Sequence, residues 1–185
     1  MSLVVDKIAC IEESDEPGSD DIYLVVFRGF AAAPFDSNLV SIGPGSTWDD
    51  FDTGEVRGAD VGIAKTRPDA VYAVMMVEED NGKDISGDVV NFWKSQTNLT
   101  WKATMLGLAV AGQQTTSENA KLAGYLAVKN TMKGLVSISM EFPKGNDDLI
   151  SVRRVHIVTP GQSEKLRFRS DEEDATYDVT FKQVA

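Results

Sequence analysis

Carboxylates are the residues in this 185-residue sequence whose type and spacing could do chemistry. The run Glu12-Glu13-Ser14-Asp15-Glu16-Pro17-Gly18-Ser19-Asp20-Asp21 places six acids in ten positions. A second run, Glu78-Glu79-Asp80-Asn81-Gly82-Lys83-Asp84-Ile85-Ser86-Gly87-Asp88, follows a strongly apolar segment. Charges this dense repel one another, and a bound cation relieves the repulsion. Ca²⁺ suits such loops because it takes roughly six to eight oxygens from carboxylates, amides, backbone carbonyls and water. Gly18 and Gly82 give the backbone the freedom to turn carbonyls inward. Mg²⁺ demands stricter octahedral geometry and fits less well.

Other chemistries find little support. Asp50-Phe51-Asp52-Thr53-Gly54-Glu55 opens like a calcium loop, but Gly54 and Val61 stand where an EF-hand needs an Asp or Asn and a Glu. That segment reads as a turn that could lend a supporting ligand, and Asn146-Asp147-Asp148 reads the same way. The sole histidine, His156, cannot form a two-histidine metal site. No Gly-x-Ser-x-Gly elbow, phosphate loop or dinucleotide fingerprint is present. Cys10 is the only cysteine, so an intrachain disulfide and a thiolate cluster are both excluded; the thiol is expected to fill core space. The expectation is a protein without catalytic function.

The elements that position these acids read mainly as strands. Apolar and β-branched runs at residues 3–11, 22–27, 39–42 and 70–77 are separated by turn-rich acidic segments. Similar runs follow at 135–142 and 150–158, and residues 166–169 and 177–181 read as a closing hairpin. Between residues 98 and 133 the pattern changes. Thr115 and Glu118 have capping-box spacing, and Leu122, Tyr125, Leu126, Val128 and Met132 follow on one helical face. Trp101, Met105, Leu108 and Ala109 suggest a shorter helix that stops near Gly112. Small residues at Gly107, Ala109, Ala111 and Gly112, and at Ala123, Gly124 and Ala127, would let the two helices pack tightly on the sheet. The fold expected is a single domain over residues 1–185: mainly β, an antiparallel β-sandwich of about nine strands, C2-like or immunoglobulin-like, with a helical hairpin inserted at about 98–133.

The run Asp15-Glu16-Pro17-Gly18-Ser19-Asp20-Asp21-Ile22-Tyr23 resembles a loop of C2-type domains, the calcium- and phospholipid-binding β-sandwiches. Those carry an Asp, a Gly three residues on, a second Asp and then a Tyr opening a strand. Val77-Glu78-Glu79-Asp80, followed by Asp84 and Gly87, resembles that family's later acidic loop. The likeness spans residues 3–90, with Glu78 where the family prefers Asp and without the usual Asp-Pro step after Asp20. It implies that Asp15 and Asp21 bind Ca²⁺ from one loop, with Glu78, Asp80 and Asp84 from the other.

A net charge of −11 disfavours direct nucleic-acid binding. No run approaches the roughly 20 apolar residues of a membrane span, and no signal peptide opens the sequence, which points to a cytoplasmic address. The expected partner of a calcium-loaded module is an anionic lipid head group or a glycan. A basic protein docking on the acidic surface without metal is the alternative. A carbohydrate-binding sandwich is a third reading, with an exposed Trp48 stacking on the sugar. Asn98-Leu99-Thr100 matches a glycosylation acceptor and is read as incidental.

Overall fold

The computed structural model describes residues 1–15, 18–42, 48–79, 87–139, 148–157, 159–172 and 174–185. Among these residues, eight strands and two α-helices form in the order β1 (Ser2–Glu12), β2 (Ile22–Phe30), β3 (Asn38–Ile42), β4 (Val56–Lys65), β5 (Ala70–Glu78), α1 (Gly87–Val110), α2 (Glu118–Ser139), β6 (Asp148–Val155), β7 (Ser163–Arg169) and β8 (Thr176–Val184), with a 3-10 turn at Pro34–Asp36. They make two four-stranded antiparallel sheets, ordered β4-β1-β8-β7 and β3-β2-β5-β6. The chain is mainly β, and its sheets are arranged like a sandwich about one shared core.

Alternation along β2 and β5 explains the layering. Ile22, Leu24, Val26, Tyr72, Val74 and Met76 point into a core shared with Leu3, Val5, Ile8, Tyr177, Val179 and Phe181 of the other sheet. The intervening residues, Tyr23, Val25, Phe27, Val71, Ala73, Met75 and Val77, pack with Trp93, Trp101, Met105, Tyr125, Val128 and Met132 of the helices. This sheet is therefore covered on both faces, and its central strands read as unbroken apolar runs rather than alternating ones. In β1 the register shifts between Val5 and Lys7, so the core-facing set changes parity from Leu3 and Val5 to Ile8 and Cys10.

Three expectations need correction. Residues 135–139, read as a strand because Leu135, Val136 and Ile138 look β-like, belong to α2, where Leu135 and Val136 continue the buried helical face; residues 140–142 of that segment lie outside the described residues. Helix α1 starts at Gly87 rather than near Trp101, because Trp93 and Thr97 extend its buried face toward the N-terminus at intervals of four. The helices thus cover more than 98–133, and Asp88 stands in the first helical turn instead of a loop. Strand β4 was not anticipated. It carries Gly58 and Gly62, and Asp60 has φ 45°, the left-handed region, where the register with β1 shifts. Bulges of this kind suit an edge strand, since they twist its open backbone away from further pairing. The closing hairpin of β7 and β8 forms as expected.

Candidate functional site

Asp21 is where the acidic segments meet. Its backbone carbonyl accepts the N–H of Glu79 at 2.6 Å, just past the end of β5. One side-chain oxygen accepts the N–H of Asp50 at 2.7 Å. One residue thereby ties together the turn between β1 and β2, the turn before β4 and the exit of β5. Asp50 has φ 56°, a conformation that Asp tolerates better than most residues.

The turn at 48–55 sits directly beside Glu13 and residues 19–21. Asp20 and Phe51 exchange backbone hydrogen bonds of 3.1 and 2.8 Å. Glu13 and Thr53 cap one another, each side chain accepting the other's backbone N–H at 3.1 Å. The Ser19 hydroxyl donates to Asp52 Oδ1 at 3.0 Å. Arg57 at the start of β4 supplies the countercharge. It donates to Glu55 at 2.8 and 2.7 Å, to the Asp50 carbonyl at 2.6 Å and to the Asp49 carbonyl, and its guanidinium lies over the Phe51 ring, 4.3 Å from the centroid. The hydrogen bond from Arg57 pulls the Glu55 carboxyl below its usual range. Asp49 goes the other way: burial, then the charges of Asp21 and Asp50, raise its carboxyl against the opposing pull of Arg57.

Beneath the surface acids lies a carboxylate of a different kind. Asp20 is 1 % exposed and accepts hydrogen bonds from the Ser14 N–H (3.1 and 3.0 Å), the Ser14 hydroxyl (2.8 Å) and the Tyr177 hydroxyl. Tyr177 stands edge-on to Phe51, with ring centroids 5.9 Å apart. Burial, then the hydrogen bond to Asp20, pushes the Tyr177 phenol up, so it stays a donor. Burial pushes the neighbouring Cys10 thiol up to about 11, leaving it protonated and inert. The sequence gives no sign that Asp20 is buried while Asp21 reaches the surface. Only the placement of Tyr177, 157 residues away, makes the distinction.

The expected metal ligands are distributed unevenly. Asp21 and Glu78 lie at one end of the sheet, with Glu78 buried and in register with Ile22 on β2 and Asp148 on β6. Asp15 is exposed on the loop that leads to Asp20. Asp80 and Asp84 lie outside the described residues. Among the described residues no group of three or more His, Cys, Asp or Glu side chains converges closely enough to hold a metal ion. The third candidate loop is the one that joins the first: Asp50 and Asp52, read as supporting turn residues, pack against residues 13–21. Trp48, expected to be exposed for stacking on a sugar, is instead buried in the core between the sheets. His156 is exposed, and its backbone N–H donates to Glu164 at 2.7 Å.

Among the described residues no helix is long and apolar enough to cross a membrane. Compared with known proteins, the sequence matches no family model and no curated protein.

Proposed function

We propose that this chain is a non-catalytic binding module whose acidic end takes up Ca²⁺ and presents it to an anionic partner, a lipid head group or a sugar. The observation that carries this reading is the junction at Asp21, where a backbone oxygen and a side-chain oxygen hold three acidic segments together. Asp21 and Glu78 then anchor the ion, with Asp15, Asp80 and Asp84 contributed by the adjoining loops. The Asp49 carboxyl, raised first by burial and then by the charges of Asp21 and Asp50, is consistent with it, since a cation there relieves the charge part of that shift. In the same reading the sandwich is of the C2-like or immunoglobulin-like kind, with the helical pair as a hairpin inserted between β5 and β6. The partner then fills coordination positions that the protein leaves open.

Calorimetric titration of chelator-stripped protein with CaCl₂ tests this directly. A saturable isotherm is expected, weakened by at least about tenfold in Asp21→Asn and in Glu78→Gln, which remove one ligand charge each. Asn at position 21 keeps an acceptor for the Asp50 N–H, so the loss would be one of charge rather than of loop structure. A flat titration of the parent protein would rule the reading out.

A second reading has its own support. Glu13, Asp21, Asp52 and Glu55 are already held by protein donors, so the acidic surface is ordered by the chain itself. Such a surface could dock on a basic protein without metal, in a complex that weakens with salt and ignores chelators.

A further inference from the structure

Helix α2 and strands β6 and β7 hold eight lysines and arginines against three acids, a net of +5, so the rest of the chain carries −16. Contacts join these cations into one strip along the flank where the edge strands β6 and β7 of the two sheets meet. Arg153 Nε donates to the Arg167 carbonyl of β7 at 2.7 Å, and Arg154 reaches Glu118 of α2 at 3.2 Å. Lys129 and Lys133 stand one turn apart on α2. Burial, then the charges of Lys133 and Arg153, lower the Lys129 ammonium. On β7, Lys165, Arg167 and Arg169 alternate along the strand and are all exposed. Glu118, Asp178 and Asp171 pair with part of this strip. Among the described residues Lys129, Lys133 and Arg153 have no carboxylate partner.

We propose that this strip docks on the acidic end of a second copy, so that copies join head to tail. The proposal rests on the second reading above, in which the acidic surface binds a basic protein without metal, and it names the chain itself as that protein. Residues 12–21 and 48–55 hold ten acids and no lysine or arginine, which makes them the natural complement of the strip.

One molecule does not satisfy both surfaces by itself. Among the described residues no ion pair joins the strip to these turns. Asp148 pairs with Glu78 at the acidic end, and Arg153 and Arg154 follow five and six residues further along β6. At roughly 3.3 Å per residue that is about 16–20 Å, twice the screening length of about 8 Å at physiological ionic strength. The same screening removes most of the repulsion between two chains of net charge −11, while charges in direct contact still attract. A long polyanion such as nucleic acid would lie over the acidic remainder as well as the strip, which favours a protein surface of matching extent. The contact joins two different patches, so it extends into longer chains or closes into a ring.

Sedimentation velocity from low to high micromolar concentration, at about 0.1 M salt with chelator present, tests the proposal. Growth past the dimer is expected as concentration rises, and it should reverse at about 0.5 M salt. Lys129→Glu with Lys133→Glu, and separately Glu12→Lys with Asp15→Lys, should each weaken association at least about tenfold. Lys133, Glu12 and Asp15 are exposed and Lys129 is half-buried, so both variants should keep the parent's circular dichroism. Mixed together, the two variants should associate again in equal proportions, because each keeps the surface that the other has lost. A parent that stays monomeric at every concentration would overturn the proposal. An oligolysine peptide then separates the two readings: salt-sensitive binding of the peptide would leave the metal-independent docking surface standing, and no binding would remove that as well. Association that neither variant weakens, or variants that stay apart when mixed, would also overturn the proposal.

Discussion

At the scale of the residue, this molecule separates carboxylates that look alike in the sequence. Asp20 and Asp21 are neighbours, yet one is a buried acceptor for Ser14 and Tyr177 and the other is a surface junction. Removing the Tyr177 hydroxyl leaves a buried carboxylate short of a donor. Tyr177→Phe should therefore cost about 1–3 kcal/mol in urea unfolding, with the slope of the transition unchanged. Asp178 offers a test in pH. Hydrogen bonds from Arg167 (2.8 and 2.9 Å), then Lys165, hold its carboxyl down at about 2. That lies below the value of 3.8 for the free side chain. Between those two values the unfolded chain takes up a proton that the folded chain refuses, so stability falls as the pH drops. The contribution is complete above about pH 5 and gone below about pH 2, and is at most about 2 kcal/mol. Arg167 and Lys165 are exposed, so salt reduces it. The stability difference between the parent and Asp178→Asn should accordingly shrink as the pH is lowered from 7 toward 2.

At the scale of the element, two glycines and a tryptophan fix how the helices sit on the sheet. Trp101 is fully buried between Gly29 of β2 and Gly124 of α2, and its ring lies 5.8 Å from that of Phe27. A Cβ at Gly29 or at Gly124 would come within 2.5 Å of the indole, too close for either ring or backbone to tolerate in place. Gly124→Ala should cost about 1–3 kcal/mol through overpacking. Gly134→Ala, on the same helix with open space around it, should instead stabilise by about 0.5–1 kcal/mol; thermal melts of the pair separate packing from propensity. These elements were unevenly legible in the sequence. Strands β2 and β5 are plain because both faces are buried and the stretches 22–27 and 70–77 are unbroken apolar runs. Strand β4 is hidden because two glycines and the bulge at Asp60 break its alternation. The end of α2 reads as a strand because β-branched residues at 136 and 138 mask a helical face that only the packing of Leu135 and Val136 reveals.

At the scale of the whole molecule, charge is sorted by layer. The helices carry a net positive charge, while the acids gather in the turns and at the sheet end around Asp21. The acidic loops were legible as candidate cation ligands from their density alone. Their grouping was not: the turn at 48–55 joins the turn at 13–21 through backbone bonds between Asp20 and Phe51, a pairing that no local pattern announces. Nor does the sequence disclose Arg57 as the countercharge that orders this turn. The central claim is that the acidic end takes up Ca²⁺, and the most direct test is the melting temperature of chelator-stripped protein with and without millimolar Ca²⁺. The account predicts a rise of about 5–10 °C at a hundredfold excess over the dissociation constant. It further predicts that Mg²⁺ at the same concentration does less, and that Asp21→Asn abolishes most of the rise. Superimposed melting curves with and without Ca²⁺ would contradict the claim and leave the acidic end as a metal-independent docking surface.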